Sequence, residues 1–334
     1  MIGSWYERCL LTITIIAATS QFYVIFLIQK KSPKSMMWDF LFTLVMGLGL
    51  QSYPIVPLLG GSTRGLAGYF GEFSARLVEA SALYTGSQVI ISQDYCLIFR
   101  CILIRANKKT HDVYVSWPSR IFWFLVHQAI ALPIGFGFYL TFLPKDLVSG
   151  RLKANNVSAE ATKTDMPVIV IDYDLPYTWQ YFFVLVSLMV FSELLSVTLI
   201  YLILSTLKRT TFSKQTTKLH YQLITHLIVL LIIPLVLIIG PCCICVILLY
   251  FNIYSTENVM KIGLTMLTLY GPTNAFATIL LVGPYRSFTF RAIRRFLHAT
   301  HLQKTRAIQP TNPPVRLPTY VQQKLKDTGT SLNQ

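Results

Sequence analysis

The chain has 334 residues, of which 53% are apolar and only 13% charged, with a formal net charge of +15 and a mean hydropathy of +0.53. Soluble domains carry about a quarter of their residues as charges, and a soluble protein of this size could not keep so much apolar surface from water. The basic excess gathers in short stretches between long uncharged runs, which excludes a phosphate-tracking groove and points to a bilayer.

A helix that crosses ~30 Å of hydrocarbon needs about 20 mainly apolar residues at 1.5 Å each. Seven runs reach that length: 9–28, 36–59, 77–99, 121–142, 180–207, 223–250 and 264–283. Their continuous apolar character predicts helices, not the ~10-residue alternating strands of a barrel. The first run is longer than a signal-peptide core, and Lys30, Lys31 and Lys34 follow it instead of preceding it. It reads as a retained span with its N-terminus outside. With that orientation, 21 of the 29 lysines and arginines fall in the cytoplasmic segments. The sequon Asn156-Val157-Ser158 then lies in the longest outer loop, where a glycan can be added.

The six cysteines all lie in or beside apolar runs, so no disulfide framework is expected. Cys242, Cys243 and Cys245 lack a second ligand pair at zinc spacing and read as packing residues; no metal or cofactor is expected. Pro54, Pro57, Pro133, Pro234, Pro241 and Pro272 fall inside the runs and predict kinks. After Pro284-Tyr285-Arg286, the arginines 291, 294 and 295 surround recurring apolar positions. This pattern predicts a short amphipathic eighth helix in the inner interface over 289–304, following a seven-span domain of 1–288. The polar stretch 305–334 is expected to be a disordered cytoplasmic tail.

Each ionisable group in hydrocarbon costs ~3 kcal/mol on insertion scales, so each calls for a reason. Asp39 and Glu79 lie within about a turn of a span end and are expected to reach interfacial water. Asp94 sits in the inner third of span three with Arg100 and Arg105 beyond it, a pairing that serves either as a breakable ionic lock or as a local structural pair. Glu193, near the middle of span five, is either protonated and bonded across the bundle or faces a polar cavity and meets a ligand. Gln88, Asn274 and Tyr84 are its candidate co-lining residues, with helix-to-helix ties as the alternative role. His127 and His226 read as packing histidines. The outer aromatics Tyr53, Phe70, Phe73, Tyr177 and Trp179 suit an interfacial belt. No HExxH, P-loop, GxSxG or GxGD pattern is present, and no span holds an interior lysine for a retinal Schiff base.

Local motifs carry the reading further. Lys31-Ser32-Pro33-Lys34-Ser35-Met36 resembles the K-T-P-x-x-M run that opens span two in nematode serpentine chemoreceptors, most closely the Srh and Sri classes of the Str superfamily. Gln51-x-x-Pro54-x-x-Pro57 with Gly61 and Gly65 is similar to their span-two exit. Ile233-Pro234 and Pro241 resemble their span-six I-P … P spacing, and Met166-Pro167-Val168 with Asp172 the end of their long outer loop. Ala277-Thr278 and Gly283-Pro284-Tyr285-Arg286 are similar to their closing S-T and K-P-Y-R. Two positions depart: Gln93-Asp94-Tyr95 stands where E-x-R is usual, and Asn274-Ala275 where His-Gly is usual.

The resemblance implies an all-α, seven-transmembrane bundle of the G-protein-coupled receptor type in a sensory-neuron plasma membrane, N-terminus extracellular and C-terminus cytoplasmic. It also implies a small, odorant-like ligand and a heterotrimeric G protein as partners. Glu193, Gln88, Asn274 and Tyr84 are then the candidate ligand residues. Asp94, Arg100, Arg105, Lys208, Arg209, Lys214, Lys218 and Arg286 form the candidate switch and coupling face. The same basic residues are explained without a partner by positive-inside retention. The competing class is a seven-span transporter using Glu193 as a proton or substrate site, against which stands the absence of internal repeats.

Overall fold

A computed structural model describes residues 5–29, 36–55, 58, 60–105, 108–154, 166–209, 214–251, 257–283 and 285–295. Residues 1–286 form one compact unit, and a second begins at Ser287. The first unit is a helical bundle with a small sheet at one end. In chain order it contains α1 (Trp5–Gln29), α2 (Met36–Leu44), a π-helical turn (Val45–Leu50), β1 (Ser52–Pro54), β2 (Gly60–Thr63), α3 (Leu66–Tyr69) and α4 (Glu72–Arg105). There follow α5 (Lys108–Val115), α6 (Trp117–Leu140), α7 (Lys145–Ala154), β3 (Val168–Val170) and α8 (Pro176–Arg209). The unit closes with α9 (Lys214–Pro234), a second π turn (Leu235–Ile239), α10 (Gly240–Tyr250) and α11 (Glu257–Leu281). In the second unit, residues 287–295 are helical, with Arg291 Nε donating to the Ser287 carbonyl. The remainder of the anticipated 289–304 helix, and the 305–334 tail, lie outside the described residues.

Among the described residues, five helical stretches are long and apolar enough to cross a membrane: Glu72–Ile104, Trp117–Leu140, Pro176–Lys208, Ile224–Leu248 and Asn258–Leu281. With α1, 25 residues long, and the shorter apolar helix Trp38–Leu50, they make seven passages. The chain is a multi-pass membrane protein. Phe136, Phe183, Phe191 and Leu194 are more than 60% exposed on their helices, a distribution that only lipid satisfies.

The second passage differs from its 36–59 run. Its helix ends at Leu50 in a π turn, and Gln51 takes a left-handed conformation (φ 40°). Beyond it the chain continues as two antiparallel strands, because Pro54 cannot feed a helical ladder while Gly60 and Gly61 permit close strand contact. Helix and strand together still cover about 35 Å at 1.5 and 3.3 Å per residue, enough to reach the far side.

β2 pairs antiparallel with β3, giving a sheet of order β1-β2-β3. This sheet unites the segment that follows the second passage with the one that precedes α8. Leu58, Leu143, Val148 and Val170 bury one side of it. A Cβ at Gly60 would collide with the Ile169 carbonyl, so only glycine allows that register. Arg76, held by Glu72, donates from Nη2 to the Leu143 carbonyl at 2.7 Å and ties the cap to α4. Arg151 bonds Asp174 and lies 3.6 Å from Asp172, fastening α7 to the turn between β3 and α8. The Asp174 carboxylate beside it raises the Arg151 guanidinium above its ordinary value.

Within lipid the helices gain little from apolar burial, so small residues and polar ties fix their packing. At Gly271 a Cβ would meet Thr43 Oγ1 and Gln21 Nε2, which sets the close approach of α1 and α2 to α11. The main core cluster gathers Phe42, Met46, Leu50, Ala82, Val89, Ile233, Ile238 and Tyr270. Both π turns contribute to it.

Candidate functional site

Among the described residues, three separate polar networks tie the bundle together. The innermost joins α2, α4 and α11. Tyr270, fully buried, donates its hydroxyl to Asp39 Oδ1 at 3.1 Å and accepts from Gln93 Nε2 at 3.1 Å. Asn274 Nδ2 donates to Asp39 Oδ2 at 2.8 Å and lies 3.3 Å from the Tyr270 oxygen. Asp39 is therefore buried at 8% exposure, not solvated at the interface as its place near the span end predicts. The reason is helical phase: Asp39 lies on the α2 face turned towards α11, and both carboxylate oxygens find donors there.

The second network joins α4 to α8. Ser192 and Ser196 both donate to the Asp94 carboxylate, Ser196 at 2.5 Å to Oδ1. Their i, i+4 spacing presents two hydroxyls on one face of α8, matched to one carboxylate. Serines hold Asp94, and Arg100 forms no ion pair with it among the described residues. Arg100 instead lies near His226, which is buried on α9. Glu193 stands beside this network, close enough to interact with Asp94, and its Oε2 is buried without a hydrogen-bond partner among the described residues.

The third network joins α4 to α6. Gln88, fully buried, donates from Nε2 to the Tyr84 hydroxyl at 3.3 Å, and that hydroxyl donates to Gln128 Oε1 at 2.8 Å. Gln88 Oε1 has no partner among the described residues. The structure thus brings Gln88 and Tyr84 together but places Glu193 and Asn274 in different networks. Sequence reading missed Tyr270, Gln93, Ser192, Ser196 and Gln128. All are neutral polar residues whose signal is a position at helical spacing from another polar group, too common to single out.

At the end of the bundle that carries the sheet, the Tyr53 ring lies 4.1 Å from the Arg64 guanidinium and 4.7 Å from Lys261 Nζ, and Tyr6 meets it edge-on at 6.0 Å. Phe70 and Phe73 are exposed, whereas Trp179 packs edge-on against Tyr250 at 5.7 Å. Beside the sheet, a groove of about 510 Å³ runs between Tyr69, Glu72, Lys145, Leu152 and Val168.

At the opposite end, Tyr114 of α5 is buried and stacks on Tyr95 and Phe99 of α4 at 5.5 and 5.7 Å. Trp123 and His127 of α6 complete the group around Tyr95. Burial raises the Tyr114 hydroxyl well above its ordinary range. Lys208 and Arg286 are exposed. Arg105, Arg209, Lys214 and Lys218 belong to α4, α8 and α9, but their side chains, like all of Asn156, lie outside the described residues.

Seven passages joined by polar ties between helices make a seven-transmembrane bundle. A model of the serpentine type 7TM GPCR chemoreceptor Srh family matches residues 3–295, nearly nine-tenths of the chain. The protein belongs to that serpentine chemoreceptor family. No curated protein matches it. The family is one of chemoreceptors, not of enzymes.

Proposed function

We propose that this chain is a chemosensory receptor that binds a small ligand in the outer half of its bundle and signals to a heterotrimeric G protein from the opposite end. Membership of the serpentine family over 3–295 is the observation that carries this reading. The ligand region is the interhelical space beside Tyr84, Gln88 and Glu193. Two buried oxygens, Gln88 Oε1 and Glu193 Oε2, accept no hydrogen bond among the described residues, and they stand on the neighbouring helices α4 and α8. An unmet acceptor in a low-dielectric interior favours a ligand that brings a donor. The ligand class is thus a small, mainly apolar molecule with one hydroxyl or amine, in keeping with an odorant-like compound.

The coupling face consists of Arg100 and Arg105, the basic positions 208–218 and Arg286, all cytoplasmic, with the N-terminus outside and the protein in the plasma membrane of a sensory neuron. Asp94, bound to two α8 hydroxyls, is the switch candidate of this reading. Ligand-driven preference for one of two bundle arrangements would open the inner end. Purified receptor in phospholipid vesicles with Gαi/o or Gαq heterotrimers tests this against a panel of volatile alcohols, amines, ketones and esters. Saturable, compound-dependent nucleotide exchange is the expected result, with Gln88→Leu weakening the response to an active alcohol at least tenfold. Absence of any response across the panel and both G proteins defeats the proposal.

A further inference from the structure

The two π turns and Tyr270 are structurally joined. In the turn of residues 235–239, Gly240 donates its backbone N–H to the Leu235 carbonyl, five residues back, so one residue more than an α-helix holds is stored there. Pro234 and Pro241 bracket the turn and keep it from relaxing into a regular ladder. Ile238 of this turn, and Met46 and Leu50 of the other, share one buried cluster with the Tyr270 ring. The ring meets Phe42 edge-on at 6.0 Å. The same residue's hydroxyl is the hub of the inner network, bonded to Asp39, Gln93 and Asn274.

We propose that Tyr270 is the positioning residue that locks the π turn of residues 235–239 in its resting register, through a ring wedged in the core and a hydroxyl anchored to α2 and α4. A π turn is a discrete two-state element. Moving its stored residue along the helix turns the residues it passes by ~100°, the rotation of one α-helical residue. The ring occupies the core that these residues face, and the hydroxyl fixes the ring. Releasing the hydroxyl frees the ring to follow the helix. Tyr270 is not placed in the ligand region, so its role is conformational. The inference rests on the receptor reading for its signalling consequence alone.

The decisive variant is Tyr270→Phe, which keeps the ring and removes only the hydroxyl. Hydrogen exchange of the backbone N–H groups within 235–241, which residues 235–240 supply, is measured in full-length receptor in nanodiscs, together with basal nucleotide exchange on Gαi/o and Gαq. The expected result is at least tenfold faster exchange in 235–241, no comparable change in 121–140 of α6, and a threefold or greater rise in basal nucleotide exchange. Gln93→Leu, which removes one anchor of the hydroxyl and leaves the ring intact, is expected to do the same to a smaller degree, and it serves if Tyr270→Phe fails to fold. Unchanged protection of 235–241 in both variants overturns the lock. Faster exchange there without a change in basal signalling, in a receptor whose wild type responds to a compound, overturns its signalling role. A wild type that never couples sinks the receptor reading while the hydrogen-exchange result still decides the lock.

Discussion

Asp94 and Asp39 illustrate how a charged residue survives in hydrocarbon. Each is given two hydrogen-bond donors from other helices, and the donors are neutral, so the carboxylate is satisfied without a buried ion pair. Asp94→Ala is expected to lower stability by about 2 kcal/mol, since it orphans two hydroxyls, whereas Ser196→Ala alone costs about 1 kcal/mol. Thermal unfolding of the detergent-solubilised protein measures both, and equal losses would show that the serines act independently of Asp94. Gly271→Val is expected to be more damaging than either. A branched side chain there meets Thr43 and Gln21, and α11 must move away from α1 and α2, so the yield of folded monomer on gel filtration should fall several-fold.

Helices were legible in the sequence wherever an apolar run exceeded about 20 residues, because lipid leaves the backbone no other way to satisfy itself. Partners across helices were not legible. Tyr270 and Asp39 are 231 positions apart, and nothing in either run announces that their helical phases coincide. Glu193, Gln88 and Asn274 share a depth, which sequence gives, but not a facing direction, which only packing gives. The outer sheet was hidden for a different reason. Its strands are three or four residues long, and β1 continues an apolar run that reads as helix. Pro54 and Gly60–Gly61 were the available signal, a breaker and a close-approach pair. Gly60→Val is therefore expected to abolish amide protection in 60–63 and 168–170 while leaving the α4 and α6 helices protected, as hydrogen exchange would report.

For the molecule as a whole, the family match and the apolar helices establish a membrane-embedded chemoreceptor fold, while its orientation is inferred from where lysine and arginine fall. A C-terminal epitope is expected to be stained only after cells are permeabilised, and Asn156→Gln to remove an electrophoretic shift sensitive to glycosidase. Staining of intact cells would invert the topology. The outer cap also has a consequence in time. β2 leaves the ribosome roughly a hundred residues ahead of β3, a delay of ~5–20 s at ordinary synthesis rates, and through that interval its edge waits for its partner strand. Chaperones of the secretory pathway have that long to hold the nascent strands. Lesions in the cap would accordingly appear as receptors retained in the endoplasmic reticulum, long before any sensory deficit could be traced to ligand recognition.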